Sequence, residues 1–309
     1  MNGRVKLAGL SSDVHRFSHT AMATVFEIVC EHPDPEYARQ AAWAAFDLTS
    51  RLEQELSRFI ENSDVSRINA LVPGEVARVS RWTMECLEMA RLGWTETLGA
   101  FDISLGSGFE ALDLDPQRLT VRANARGARL DLGGIGKGYA VDRMAEVLRE
   151  WDVDRALIHG GYSSVLALEA PTGCDGWPLT MSAREDACST PFTLIHAQRR
   201  ALSASGTRKG EHIVDPRTGQ PVRARTAAWA SAEVTALTEF SRKAGCSNGG
   251  VSESPAASAE VFSTAFLILA PEEISACCRK YAGMEAWIQE DGPAARPSIR
   301  HLPDGELVL

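Results

Sequence analysis

The twelve residues Asp131-Leu132-Gly133-Gly134-Ile135-Gly136-Lys137-Gly138-Tyr139-Ala140-Val141-Asp142 constrain this chain more than any other stretch. A short apolar run, Ala128–Leu132, reads as a strand that enters four glycines and a lysine, and an amphipathic helix follows at once. Glycine lets backbone approach a ligand closely, and the first amides of a helix lack intrahelical partners, so such a junction attracts anions, phosphate above all. Lys137 adds a point charge to it. The spacing is not a Walker A loop, which would need Gly at 131 and Ser or Thr at 138, and it is not a G-x-G-x-x-G dinucleotide fingerprint. By itself the junction reads equally as a tight strand-to-helix connection or as a ligand site.

Phosphate binding would need positive charge supplied locally, because the chain carries a net charge of −9 and no basic run. The same balance excludes nucleic acid and anionic membrane as natural partners. No stretch is long and apolar enough to span a bilayer, and Met1–Val14 has no signal-peptide core, so the expected compartment is the cytoplasm. The seven cysteines, at 30, 86, 174, 188, 246, 277 and 278, are scattered without Cys-x-x-Cys spacing, as buried thiols in a reducing compartment would be.

Along the chain, Arg16–Glu31 reads as a turn and a strand. Asp34-Pro35 caps a long helix whose buried face is Ala38, Ala41, Ala42, Ala45, Leu48, Leu52 and Leu56. Ser63 and Ser80 open two further helices, and Phe101-Asp102-Ile103-Ser104 with Gly106 and Gly108 reads as a loop. Leu119–Arg122 and Ala128–Leu132 predict a hairpin. Short strands dominate from Leu179 to Val234; residues 241–258, rich in Gly, Ser, Asn and Pro, predict an exposed insertion; Ala259–Leu269 predicts an apolar helix. Strands and helices do not alternate regularly, so the pattern predicts an α+β fold rather than a doubly wound parallel sheet. A tail of residues 1–15 followed by one domain over 16–309 is the expected organisation.

Three more places carry chemistry-bearing residues. His159-Gly160-Gly161 is a second strand end meeting glycines. Ser205-Gly206 precedes His212-Ile213-Val214-Asp215-Pro216-Arg217-Thr218-Gly219, whose Asp-Pro and Thr-Gly describe a β-turn and leave His212 either a structural histidine or a functional one. Glu260 and Thr264 stand one turn apart on an otherwise apolar helix. A carboxylate there needs a cation or several donors, and carboxylate plus hydroxyl is a hard oxygen set suited to Mg²⁺.

Taken together, these motifs resemble the FAD:protein FMN transferases, the ApbE-like flavin transferases. The resemblance runs from Thr20-Ala21-Met22-Ala23-Thr24 through Glu55–Phe59, Ser63–Asn69 and Phe101–Ser104. It continues through Asp131–Asp142, Gly160-Gly161, Ser205-Gly206 and His212–Gly219 to Glu260–Ala265. It implies a T-fold-like arrangement of largely antiparallel sheets with packed helices. It also implies a Mg²⁺-dependent enzyme that moves the FMN half of FAD onto a Ser or Thr of an acceptor flavoprotein as a phosphoester, releasing AMP.

By position, the resemblance implies that Lys137 with Gly134 and Gly138 holds the FAD phosphates. It implies metal ligands at the Gly136 carbonyl, Glu260 and Thr264. Met22, Ser57, Asn69, Asp102, Asp142, Gly160, Gly161, Ser205, Gly206, Asp215 and Thr218 would contact the flavin nucleotide, and His212 would move the proton. Three positions depart from the family pattern: Glu260 replaces aspartate, Tyr162-Ser163 follows the glycine pair where aspartate is common, and Phe59 replaces tyrosine. An FAD pyrophosphatase yielding FMN and AMP, and a non-catalytic FAD-binding protein, are the alternatives compatible with the same residues.

Overall fold

The computed structural model describes residues 12–161, 163–182, 193–207, 214–223, 225–243, 254–281, 283–291, 297–302 and 307–308. The chain opens with a hairpin, β1 (Val14–Ala21) and β2 (Thr24–Glu31), turned by Met22 and Ala23, both at positive φ. The sequence pattern showed only the second of these strands, because β1 is a half-exposed edge with polar residues on one face. Helix α1 (Pro35–Leu56) starts where expected: the Asp34 side chain accepts from the amides of Glu36 and Tyr37, and Pro35 occupies the first turn. Helix α2 (Asp64–Asn69), strand β3 (Val76–Arg78) and helix α3 (Arg81–Glu96) follow, with Ser63 and Ser80 as N-caps.

The next hairpin differs from expectation. Strand β4 (Leu112–Asp115) pairs with β5 (Thr120–Ala123), and β3 pairs on the other side of β5. Ala128–Asp131 joins no strand, because the Asn69 side chain takes the place of a partner. Its Oδ1 accepts from Leu130 N (2.7 Å) and its Nδ2 donates to Leu130 O (3.0 Å), while Asp131 N donates to Ile103 O. One side-chain amide thereby satisfies both backbone groups that a ladder would have satisfied. A 3₁₀ turn over Leu132–Gly134 then leads into helix α4 (Gly136–Glu150).

Strands β6 (Ala156–Gly160), β7 (Ser164–Ala167), β8 (Trp177–Met181), β9 (Thr193–Ala197), β10 (Arg200–Gly206), β11 (Val214–Asp215), β12 (Gln220–Pro221) and β13 (Arg225–Glu233) precede helices α5 (Val234–Lys243), α6 (Pro255–Ala265) and α7 (Pro271–Lys280). Strands β14 (Glu285–Asp291), β15 (Pro297–Leu302) and β16 (Leu307–Val308) complete the described chain. Nine strands form one sheet in the order β1-β2-β6-β7-β10-β13-β14-β15-β16, every neighbouring pair antiparallel. The α+β reading therefore holds. Among the described residues no helix is long and apolar enough to cross a membrane.

The expected insertion at 241–258 is corrected at both ends: residues 241–243 complete α5, and Ser254–Ser258 are the buried cap and first turns of α6. Residues 244–253 lie outside the described residues. The small polar composition of 254–258, which reads as surface, serves close packing instead.

Helices α1, α4 and α6 pack on one face of the sheet and contribute to the larger apolar core. The other face carries a second core around Trp177, Trp229 and Trp287. His159 points to that second face, since alternation along β6 puts it on the side of Leu157. It is 0% exposed, and neither ring nitrogen has a hydrogen-bond partner among the described residues. Glu27 faces it across β2, itself held by Arg16 at 2.5 Å. Burial, with a smaller contribution from Arg16, pushes the His159 pKa down to about 4 from 6.5.

A depressed base supports stability above its unfolded pKa and loses that support as pH falls through the folded value. Urea unfolding at pH 7, 5.5 and 4 should therefore show His159→Leu gaining on the parent protein as the solution is acidified. Near pH 4 the relative gain should approach about 3 kcal/mol, the linkage energy of a histidine whose pKa falls from 6.5 to about 4 on folding. Parallel pH profiles for the two proteins would show that His159 is not held neutral.

Candidate functional site

The first turns of α4 and α6 meet head to flank, and glycine permits it. A Cβ on Gly138 would lie 2.5 Å from Ala256 O and 2.7 Å from Ala257 Cα, both backbone atoms that cannot swing away. Each helix then sends a carboxylate to the other's amino terminus. Glu260 of α6 accepts from the Gly138 amide at 2.6 Å and pairs with Lys137 Nζ. Asp142 of α4 accepts from the Ala256 amide (2.8 Å) and the Ala257 amide (2.9 Å). Position 138 against 260, and 142 against 256–257, makes the two helices antiparallel. Both acids satisfy first-turn amides that their own helices leave unbonded.

Burial pushes the Asp142 pKa up to about 8, partly offset by Arg143 and by the amides it accepts from. Arg143 fastens the same joint from the other side. It donates to Glu85 Oε2 (3.3 Å) and to Ser254 Oγ (3.2 Å), and Tyr139 OH donates to Glu85 Oε2 at 2.6 Å.

Above this joint opens a cleft of about 490 Å³, within the usual range for small-molecule sites, about 300–1,000 Å³. Of the sequence-predicted residues, Asp102, Gly134, Lys137, Gly161, Ser205, Gly206, Glu260 and Thr264 line it. Lys137 Nζ also donates to Gly133 O at 3.1 Å, so its ammonium bridges the glycine turn and Glu260. Glu260 is only 3% exposed. Thr264 Oγ1 shares a hydrogen bond of 3.1 Å with Ser205 Oγ, which also reaches Ser263 Oγ at 3.0 Å. Ser263 in turn donates to Ser203 Oγ at 3.2 Å, so a ladder of hydroxyls ties α6 to β10 beneath the cleft.

Asp102 orders its own loop, accepting from Ser104 N, Ser104 Oγ and Gly106 N at 2.7–2.9 Å. Gly161 stands at φ +62, and a Cβ there would meet Thr24 Oγ1 at 2.6 Å.

The remaining predicted residues lie outside the lining. Gly138 and Asp142 hold the two helices together, and Gly136 is buried at the start of α4. Met22 packs on the larger core at the β1–β2 turn. Ser57 caps the end of α1, its Oγ accepting from Phe59 N at 3.2 Å, and Asn69 clamps Leu130. Gly160 packs against Phe26 and Val141.

Asp215 and Thr218 shape the β11–β12 turn, where Asp215 holds Arg217 with both carboxylate oxygens (3.0 and 3.1 Å). Their neighbours Val214 and Pro216 reach the cleft. His212 lies outside the described residues.

Sequence reasoning missed Phe101, Ser163, Thr226, Trp229 and Ile268 in the lining. Phe101 falls in a stretch that reads as a loop and Trp229 among the short strands, and only the crossing of sheet and helices brings both to the cleft. Ser263 was invisible as a member of the hydroxyl ladder, since nothing in the sequence pairs it with Ser203 and Ser205.

Residues 22–288 match the ApbE family. An FAD:protein FMN transferase from Buchnera aphidicola subsp. Schizaphis graminum is 22% identical over 221 residues, covering 55% of this chain and 61% of that protein. One from Treponema pallidum is 25% identical over 294 residues, covering 78% of this chain and 74% of that protein. Among solved structures, the Pseudomonas stutzeri flavinyl transferase ApbE in its apo form superposes with a TM-score of 0.73 at 20% identity, over 93% of this chain and 94% of that one. The ApbE protein of Thermotoga maritima gives 0.74 at 21% identity, over 92% and 96%. These structural likenesses establish the fold, including its mainly antiparallel sheets.

The joint between α4 and α6 is testable. Asp142→Ala strands two buried amides and should cost about 3 kcal/mol or more in chemical denaturation, with Asp142→Asn costing less because it keeps one acceptor. Gly138→Ala should cost at least about 1–3 kcal/mol by forcing the helices apart. A loss below about 0.5 kcal/mol in either Ala variant would mean the helices are held by other contacts.

Proposed function

Because the chain belongs to the ApbE family, we propose that it is an FAD:protein FMN transferase. The observation that carries this reading is the convergence of Lys137, Glu260, Thr264 and the Gly133-Gly134 turn on one cleft, although Lys137 and Glu260 stand more than a hundred residues apart in sequence. The chain spans 61% of the Buchnera relative's length, and substrate and acceptor are carried over as part of the proposal.

In this reading the diphosphate of FAD lies along the glycine turn against Lys137 and the amino-terminal end of α4, where positive charge is concentrated. The oxygen of an acceptor Ser or Thr forms a bond to the phosphorus of the FMN half. The bond from that phosphorus to the bridging oxygen breaks, and AMP leaves with the electron pair. The hydroxyl proton passes to a base, for which His212 is the candidate. Displacement at phosphorus depends on alignment and charge neutralisation more than on covalent catalysis. Phe101 and Trp229 supply apolar wall to the cleft.

Mg²⁺ belongs to the same proposal, and the donors fit it. The cleft floor offers one carboxylate and one hydroxyl in neighbouring turns of α6, an all-oxygen set suited to a hard cation. No three His, Cys, Asp or Glu side chains cluster among the described residues, so phosphate oxygens of the nucleotide would have to complete the shell. Glu260, Thr264 and the Gly136 carbonyl would hold the ion, which would supply Lewis-acid stabilisation of the phosphates. The Glu260 carboxylate accepts from Lys137 with one oxygen and from the Gly138 amide with the other.

Incubation with FAD, Mg²⁺ and hydroxyl-bearing peptides tests the function: an FMN-mass adduct with equimolar AMP is the expected result. AMP without adduct would mean hydrolysis, and retained FAD with neither product would mean a binding protein. Glu260→Ala should reduce metal-dependent AMP release to background, and normal turnover at saturating FAD would remove Glu260 from the metal site. His212→Ala should slow transfer by about 10²–10⁴-fold while FAD affinity, read by flavin fluorescence, stays nearly unchanged.

A further inference from the structure

The hydroxyls beneath the cleft share too few protons to be arranged freely. Ser203, Ser205, Ser263 and Thr264 form one hydrogen-bonded row, and each hydroxyl has a single proton to give. Ser263 directs its proton away from Ser205. Its Oγ donates toward Ser203 Oγ (3.2 Å) and toward the Glu260 carbonyl oxygen one turn back on α6 (3.1 Å). The 3.0 Å contact between Ser205 Oγ and Ser263 Oγ must then be donated by Ser205. Ser205 has no second proton for its other contact, so across the 3.1 Å to Thr264 Oγ1 the donor is Thr264.

The direction matters at the outer end of the row. Thr264 lines the cleft, and with its proton committed to Ser205 the lone pairs of its oxygen are left for a ligand there. A threonine inside a helix often sends its proton to the carbonyl four residues back, which for Thr264 is Glu260 O, but Ser263 already holds that carbonyl. Hard cations bind a hydroxyl through its oxygen lone pairs, so a proton on that side would oppose them. The inner end leads nowhere. Ser203 and Ser263 are both 0% exposed, and the buried Oγ of Ser164, opposite Ser203 on β7, has no hydrogen-bond partner among the described residues. The row is therefore no proton relay to solvent; what it transmits is orientation.

We propose that Ser263 is a positioning residue for the divalent cation: acting through Ser205, it keeps the Thr264 proton turned inward and the Thr264 oxygen available as a ligand. The inference rests on the transferase reading, in which Glu260 and Thr264 hold Mg²⁺. Deleting Ser263 Oγ removes the acceptor of Ser205, whose proton then turns to its remaining neighbour, Thr264 Oγ1. A lone pair of that oxygen is taken up in competition with the cation. Ser203 is different. Without its Oγ, Ser263 still donates to Glu260 O, and the order of protons toward the cleft is unchanged.

The test reads metal binding rather than turnover. Mn²⁺, a paramagnetic stand-in for Mg²⁺, is titrated into the full chain saturated with FAD and free of acceptor, and the unbound ion is measured by electron paramagnetic resonance. Ser263→Ala should weaken Mn²⁺ binding about 10–100-fold, the usual loss when the partner of a metal ligand is removed. Ser203→Ala deletes an equally buried hydroxyl and should leave Mn²⁺ affinity nearly unchanged. FAD affinity without metal, read by flavin fluorescence, should stay the same in both variants. Thr264→Val sets the scale by removing the ligand oxygen itself. Parent-like Mn²⁺ affinity in Ser263→Ala, or an equal loss in Ser203→Ala, overturns the positioning role and leaves the transferase reading standing. A fall in metal-free FAD affinity in Ser263→Ala overturns it too, by making Ser263 a support of the nucleotide pocket. Undiminished binding in Thr264→Val, or no Mn²⁺ binding by the parent protein, overturns the metal site itself and this inference with it.

Discussion

Two helices exchanging carboxylates hold the centre of this protein. Asp142 reaches from α4 to the first amides of α6, and Glu260 reaches from α6 to the first turn of α4. An ordinary capped helix satisfies its orphan amides with a residue just before it. Here neither helix does so: Ile135 and Ser254 precede the helices and make no side-chain cap. The Gly138 amide of one helix and the Ala256 and Ala257 amides of the other find their acceptors across the joint, so these groups are satisfied once the two helices have docked. Gly138 makes the approach possible, and the Arg143–Glu85–Tyr139 cluster locks it against α3.

The cleft inherits its chemistry from that joint. Because Glu260 is drawn down onto the Gly138 amide, Lys137 is held above it and over the glycine turn rather than extending into water. An acidic protein thus keeps a positive point directed at one place. The carboxylate beside it tempers the charge, and α6 presents Thr264 one turn further along. The hydroxyl ladder through Ser205, Ser263 and Ser203 fixes that helix against the sheet, so backbone geometry and side-chain geometry are set by the same contacts. Donors held by such contacts before a ligand arrives are the condition under which charge neutralisation is most effective.

Several residues that looked like ligand contacts in the sequence turn out to build the frame. Asn69 replaces a missing strand, Asp142 replaces a missing cap, and Gly138 removes a side chain where two backbones meet. A motif read as a ligand cradle is then divided between residues that face the cleft, Gly134 and Lys137, and residues that hold those in position. Local pattern does not separate the two roles, because both require small or polar residues at invariant spacing near a helix start.

What the sequence alone determined is local. The N-caps at Asp34, Ser63 and Ser80, the apolar face of α1, the irregular order of strands and helices, and the glycine-lysine junction all follow from residues within a few positions of one another. Tertiary structure decided which polar groups meet. Residues 254–258 are polar or small by composition and buried in fact, and Ala128–Leu132 looks like a strand but is paired at Leu130 by one asparagine. In each case the deciding partner lies far along the chain, and the energy of a hydrogen bond or a helix contact depends on that partner, which no periodicity of the chain itself encodes.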